Sequence, residues 1–357
     1  MPDRVPTSGR APASYTDLVL CYGGSTHRTP FGWNKERFAP FVTYTDEAGG
    51  EHWLFDSFLC IEFVMVPYSI NLGQKRTSGG REQWQELIDY WFGPDNGVNA
   101  LEEAVGEAAA RLGEPAGKRK VVMVMPDPII YEEYADTNTS TTYWGELNGR
   151  RLDFAKASDR IAAYKWYIDS VRRLFDEADY RYVELAGFYI VSEDLATPGD
   201  GWNPELKRWE EVIPEVAEYL HALNESLCWI PYNRAAGYRN WKRFGIDYAY
   251  MQPNYFWDNK GEKPLSRFFS DIKANDLAME FEFDDALLEK TAGSEVYRRR
   301  LREYMDGAKE HGIYGRKPLA YYHGQNTLYE LSVSAAAEDR KLYHEFCRFV
   351  LDNPLRK

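Results

Sequence analysis

Short apolar runs alternate with longer amphipathic stretches along most of the chain. The apolar runs end at Gly, Pro, Asn or Asp, as buried strands do, whereas the stretches between them repeat apolar residues at helical spacing. The pattern predicts eight main strands, at 17–23, 54–63, 120–125, 182–191, 227–232, 247–252, 277–283 and 318–322. It predicts helices at 81–92, 100–112, 154–178, 204–223 (with Asn203 as N-cap), 238–244, 264–274, 295–311 and 335–351.

The regular alternation of strand and helix favours a parallel sheet with right-handed crossovers. Eight such units predict an α/β fold, a (β/α)8 TIM barrel, with an inserted β-hairpin near the N-terminus whose turn is 46–50. The competing fold is a doubly wound open sheet, but neither a G-x-G-x-x-G nor a P-loop motif is present to support it. Residues 1–14 are expected to be a flexible tail, and residues 15–357 a single barrel domain.

Charge and composition narrow the range of partners. The chain carries 43 Lys and Arg against 56 Asp and Glu, a formal charge of −13, which argues against nucleic-acid binding and against an anionic membrane surface. Aromatic residues make up 15% of the chain, and a surplus of Tyr and Trp suits flat, partly polar ligands such as sugars. The four scattered cysteines are predicted to be buried free thiols.

The N-terminus lacks the apolar core of a signal peptide. The sequence as given therefore predicts a cytoplasmic protein, or a secreted one if a signal peptide has been removed. The oligomeric state is left open.

The predicted seventh strand carries the most informative polar pattern. At a period of two, Glu280, Glu282 and Asp284 share one face, and Met279, Phe281 and Phe283 share the other. In a barrel the aromatic face would pack against helices, and the acidic face would point into the mouth. The alternative is an edge strand with a solvated acidic face.

A further carboxylate, Glu193, ends the predicted fourth strand. Two carboxylates that face each other across a pocket can hydrolyse a glycosidic bond, and many retaining glycosidase barrels place them at the ends of strands four and seven. The sequence therefore predicts Glu193 as general acid/base and Glu282 as nucleophile, with Glu280 as the competing residue. The candidate sugar contacts lie at the other strand ends and loops: Tyr22, His27, Asp56, Trp229, Tyr232, Gln252, Asn254, Tyr255 and His323.

Other chemistries have less support. The nucleophile elbow of Ser hydrolases is missing, and the six histidines are isolated, so no metal site and no cofactor are predicted. Two alternatives to a glycosidase stay open. One is a carbohydrate-binding barrel without turnover, and the other is a hydrolase whose metal is held by carboxylates alone.

Seven segments in this order resemble the DUF4855 family, a bacterial family of unknown function. They are 20–24, 54–59, 121–128, 187–189 with Glu193, 229–232, 250–255 and 280–284. The resemblance implies a barrel of the kind found in polysaccharide-degrading bacteria and supports the expectation of a glycoside hydrolase. The expected partner of the protein is then its carbohydrate substrate. It assigns no catalytic residues.

Overall fold

A computed structural model describes residues 14–24, 32–62, 64–65, 68–69, 77–127, 142–195 and 208–356. Eight parallel strands close into a barrel in which each strand pairs with the next along the chain and the last pairs with the first. All eight strands lie within a residue or a few of the predicted ranges. They are β1 (Asp17–Tyr22), β2 (Ser57–Ile61), β3 (Arg119–Met125), β4 (Val183–Ile190), β5 (Ser226–Trp229), β6 (Tyr248–Met251), β7 (Ala278–Glu282) and β8 (Leu319–Tyr322).

Helices follow the strands around the outside of the barrel. They are α1 (Lys35–Val42), α2 (Arg81–Trp91), α3 (Gly97–Leu112), α4 (Ala157–Ala178), α5 (Arg208–Ala222), α6 (Leu265–Ala274), α7 (Ser294–Glu310), α8 (Thr327–Val333) and α9 (Ala337–Leu351). The predicted (β/α)8 barrel is therefore confirmed. Residues 1–13 of the predicted tail (1–14) and the predicted N-cap Asn203 lie outside the described residues.

The described insertions exceed those predicted. The expected hairpin is present, with Thr43–Thr45 antiparallel to Glu51–Trp53. A second hairpin, Tyr143–Leu147 with Arg150–Asp153, lies between β3 and α4, and the short helices α1 and α8 were not predicted. The sequence missed α1 because Pro40 lies inside it, although the Asn34 side chain caps its start by accepting from the Arg37 N–H at 3.0 Å.

The pleat of β7 separates its acidic and aromatic side chains as predicted. Phe281 points outward and packs against Tyr304 of α7 and Phe349 of α9, with ring centroids 5.9 and 5.2 Å away. Glu280 and Glu282 point inward, and both are buried. Because the barrel is closed, β7 has a paired neighbour on each side, so the edge-strand alternative is excluded.

The predicted state of the cysteines is also confirmed. All four are buried free thiols: Cys21, Cys60, Cys228 and Cys347.

The amino end of the barrel is closed by a network around Asp17, the first residue of β1. Its carboxylate accepts from the Tyr321 hydroxyl at 2.7 Å and forms an ion pair with Arg356 at 3.2 Å. Burial raises the pKa of Asp17 to about 7, and the nearby charge of Asp56 adds to the effect. This network joins the C-terminal turn to the first and last strands, so its role is structural.

We expect Phe281→Ala to lower the free energy of unfolding by about 3–5 kcal/mol, because it opens a cavity between β7 and two helices. Denaturant titration measures the change. Leu355→Ala, at a side chain that is 40% exposed, is the matched control and should stay within about 0.5 kcal/mol of the parent protein. A loss below about 1 kcal/mol for Phe281→Ala would contradict the outward, packed placement.

Candidate active site

Two glutamates meet at the carboxyl end of the barrel. Glu282 is the last residue of β7, and Glu193 lies three residues after the end of β4. These are the fourth and seventh strands of the barrel, as the sequence predicted, and the negative charge of Glu193 acts on Glu282. The carboxyl end is the face on which barrel enzymes carry out their chemistry.

Two amide side chains connect the glutamates. The Gln252 amide nitrogen donates to Glu193 Oε1 at 2.9 Å, and the Asn254 amide nitrogen donates to Gln252 Oε1 at 3.3 Å. The same Asn254 nitrogen lies 3.4 Å from Glu282 Oε1, and the Asn254 backbone N–H donates to Glu282 Oε2 at 2.9 Å. The loop after β6 thus fixes the orientation of both carboxyl groups.

Asn254 reaches both partners from an uncommon backbone conformation. Its φ is +52°, in the left-handed region that Asn tolerates better than most residues. Its side-chain oxygen accepts from the Asn233 N–H at 2.9 Å, and the Asn233 side chain donates to the Pro253 carbonyl at 3.0 Å. The loop after β5 therefore holds the loop after β6 in this conformation.

Burial dominates the electrostatics of Glu282, which is 1% exposed. Desolvation raises the pKa of Glu282 to about 8, even though the hydrogen bonds from Asn254 and the charge of Lys263 act to lower it. The charge of Glu193 makes a second, smaller contribution to this rise. Glu193 is exposed, so water stabilises its carboxylate charge. The two environments therefore favour a proton on Glu282.

Glu280 lies one inward-facing position deeper in the barrel than Glu282 and is 2% exposed. Its charge acts on the hydroxyl of Tyr189, a residue of β4 that also feels the charge of Glu193. The third member of the predicted acidic face, Asp284, lies beyond the strand end, where its Oδ1 accepts from the Ala286 N–H at 2.9 Å.

Four of the predicted sugar contacts lie at this end and are partly exposed: Tyr22, Tyr232, Gln252 and Asn254. Tyr22 is the last residue of β1, and the Tyr232 hydroxyl donates to Asp194 at 2.8 Å. Tyr255 follows Asn254, but its hydroxyl turns toward α7 and donates to Glu303 at 2.7 Å.

The structure does not bring the other predicted contacts together with these. Trp229 is fully buried and donates to the Ser192 carbonyl at 2.8 Å, so it offers no face for stacking. His323 is 1% exposed among Trp33 and Phe41, and burial lowers its pKa to about 3.

Asp56 precedes β2 and therefore lies at the opposite, amino end of the barrel. It accepts the backbone N–H groups of Thr16 and Asp17 at 2.8 and 2.9 Å. Its position corrects the expectation of a sugar contact, which came from counting it among the residues of the strand end. His27 lies outside the described residues.

Other residues at this end were not among the predicted site residues. Trp257 is 40% exposed, and its indole N–H donates to Asp284 Oδ2 at 2.8 Å. Glu62 and Asp127, which follow β2 and β3, are each 2% exposed. The signal for Glu62 and Asp127 was available, since both lie within two residues of the end of an apolar strand. Trp257 had no such signal, because it lies in an irregular loop.

Comparison with known proteins identifies the family. The family model described as "Domain of unknown function (DUF4855)" matches residues 17–348. The chain belongs to the DUF4855 family. The resemblance found in the sequence is thereby confirmed over nearly the whole chain. No curated protein matches this DUF4855 chain.

Two solved structures are similar to this chain, each with a TM-score below 0.5. A structure described as a cellulase–inhibitor complex is 10% identical, with a TM-score of 0.42, and the match covers 94% of the DUF4855 chain and 93% of that chain. An endocellulase of the archaeon Pyrococcus horikoshii is also 10% identical, with a TM-score of 0.39 and coverage of 87% and 100%. At this identity the likeness does not extend to function.

Neither a metal site nor a membrane span is found in the part of this DUF4855 chain that the structure describes. No group of three or more His, Cys, Asp and Glu side chains there could hold a metal ion. No described helix is both long enough and apolar enough to cross a bilayer.

We expect the carboxyl group of Glu282 to titrate near pH 8 in ¹³C-carboxyl NMR spectra of the unliganded protein. Glu193→Gln should lower this pKa, because it removes a like charge that raises it. Glu177→Gln, on the exposed surface of α4, is the control and should leave the titration in place. An unchanged pKa in Glu193→Gln would mean that the two carboxyl groups do not interact.

Proposed function

We propose that this protein is a glycoside hydrolase that cleaves a polysaccharide or oligosaccharide with Glu193 and Glu282 and retains the anomeric configuration. The observation that carries the proposal is that the carboxyl groups of Glu193, just after the fourth strand, and Glu282, at the end of the seventh, are joined at the barrel mouth by Gln252 and Asn254. Glycosidic hydrolysis needs one carboxyl group that holds a proton and one that is charged.

The burial of Glu282 supports its role as the proton donor to the leaving oxygen. A buried carboxyl group with a raised pKa keeps its proton at neutral pH, as a general acid must. The exposed Glu193 is the ionised partner that attacks the anomeric carbon. Strand order had predicted the reverse, with Glu193 as general acid/base and Glu282 as nucleophile. The sequence could not indicate the roles, because it does not reveal which carboxyl group is desolvated in the folded protein.

In this proposal the amide side chains position the two carboxyl groups. Gln252 and Asn254 hold the carboxyl groups in position before substrate arrives, so little reorganisation is left for the reaction itself. Glu280 lies one inward-facing position deeper and is 2% exposed, and we propose that it does not take part in the reaction.

Glu193→Gln and Glu282→Gln should each abolish release of reducing ends from a panel of plant, algal and bacterial polysaccharides, because each removes one half of the pair. The parent protein should keep its activity in EDTA. Far-ultraviolet circular dichroism checks that both variants fold, and Leu355→Ala is the active control.

The other outcomes of this assay separate the alternatives. Activity lost in EDTA would indicate a carboxylate-held metal. Sugar binding without any release by the parent protein would indicate a binding barrel. Full activity of either Gln variant would remove that residue from the mechanism.

The pH dependence of kcat/KM tests the roles, since it reports groups of the free enzyme. If Glu282 is the proton donor, its protonated form is the active one, and kcat/KM should fall as the pH rises through about 8. Circular dichroism at each pH excludes unfolding as the cause. A value of kcat/KM that instead rises through the same range would make Glu282 the nucleophile and Glu193 the donor.

A further inference from the structure

Trp257 combines exposure with a fixed orientation. Its side chain is 40% exposed, yet its indole N–H is bonded to Asp284, two residues beyond Glu282. Its ring also contacts Phe256, with centroids 5.2 Å apart. Large exposed aromatic side chains are normally free to move, so an anchored one presents a ready-made flat apolar face.

The loop that carries Trp257 is fastened to α7. Arg300 donates to the Phe256 carbonyl at 2.5 Å and to the Asp258 carbonyl at 2.9 Å. The hydroxyl of Tyr255, the residue before Phe256, donates to Glu303 of the same helix. The loop therefore holds Trp257 at the mouth without help from a ligand.

Trp257 is the outer end of a row of aromatic rings. Its ring lies edge-on to Tyr322, the last residue of β8, with centroids 6.1 Å apart, and Tyr322 lies edge-on to Tyr22 of β1 at 5.6 Å. Tyr22 in turn interacts electrostatically with Tyr189, which feels the charges of Glu193 and Glu280. The row, which we call the aromatic wall (Tyr22, Tyr322 and Trp257), lies beside Glu282, because Tyr322 is the register partner of Glu282 on the neighbouring strand and Trp257 is bonded to Asp284.

The charges near the wall limit the sugars that it can take. Among the described residues, carboxyl groups follow β2, β3, β4 and β7 around the mouth, at Glu62, Asp127, Glu193, Asp194 and Asp284. Beside these carboxyl groups, Lys263 is a cation that acts on Glu282. A sugar that carries carboxylate or sulfate groups would meet a field of its own sign, which disfavours binding.

We propose that the aromatic wall binds successive units of an uncharged sugar chain, with Trp257 as its most exposed stacking residue. This inference rests on the proposed function, because it assigns the wall to the substrate of the Glu193 and Glu282 pair. Sugar rings present flat C–H faces that stack on aromatic rings, and uncharged chains avoid the repulsion of the acidic mouth.

Binding to a protein without turnover tests the wall separately from the reaction. Glu193→Gln is titrated by isothermal calorimetry with hexasaccharides of glucose, xylose, mannose and galactose, and with a hexasaccharide of galacturonic acid. At least one uncharged hexasaccharide should bind, and the galacturonic acid chain should bind at least about tenfold more weakly.

Variants made in the Glu193→Gln background then test Trp257. Trp257→Ala should weaken binding of that uncharged hexasaccharide about tenfold, whereas Trp257→Phe, which keeps a flat ring, should lose less. Leu355→Ala, equally exposed at the amino end of the barrel, is the matched control and should bind as the background protein does. Circular dichroism confirms that each variant folds.

The outcomes distinguish this inference from the proposed function. Unchanged affinity in Trp257→Ala, binding of none of the uncharged chains, or tighter binding of the galacturonic acid chain would overturn the aromatic wall as proposed. Binding that depends on Trp257, in a parent protein that hydrolyses none of these chains, would support the wall and overturn the hydrolase.

Discussion

The pleat of one strand in a closed barrel is the constraint on which the site depends. Successive side chains of β7 must face opposite sides, so once Phe281 packs against the outer helices, Glu280 and Glu282 have no place but the interior. If β7 shifted its register by one residue, Phe281 and Phe283 would point into the barrel and the carboxyl groups would face the apolar helices. The outer hydrophobic packing of β7 therefore maintains the inner acidic site.

Placing Glu282 inside has an energetic consequence for the whole protein. The effect of desolvation on its pKa is larger than the opposing effects of two hydrogen bonds from Asn254 and the attraction of Lys263. As a result, the pKa rises from 4.5 to about 8. The folded state then holds a proton that the unfolded chain releases, so this group's contribution to stability decreases as the pH rises from about 4.5 to about 8. The burial of this one carboxyl group therefore lowers the stability of the folded protein at neutral pH.

The sequence predicted the features that follow from periodicity and missed those that follow from packing. Strand period located all eight barrel strands and placed Glu280 and Glu282 on the inner face. The predicted second strand, 54–63, was longer than β2, and its period did not show that Asp56 lies before the strand. Asp56 was therefore placed at the mouth although it precedes β2. Trp229 looked like a stacking residue, but its burial depends on contacts from a neighbouring loop. Those contacts, like the tether between Trp257 and Asp284, join residues far apart in the chain and leave no local pattern.

A perturbed pKa does not by itself mark the active site of this protein. Asp17 and Glu282 are both buried carboxyl groups whose pKa values burial raises, to about 7 and about 8. Asp17 is enclosed at the amino end by Tyr321 and Arg356, so nothing can reach it without opening the C-terminal turn. Glu282 lies at the carboxyl end, where a second carboxyl group faces it and an anchored indole lies nearby. The position in the barrel and the facing partner, and not the size of the shift, therefore distinguish Asp17, which joins the C-terminal turn to the barrel, from Glu282, the proposed proton donor.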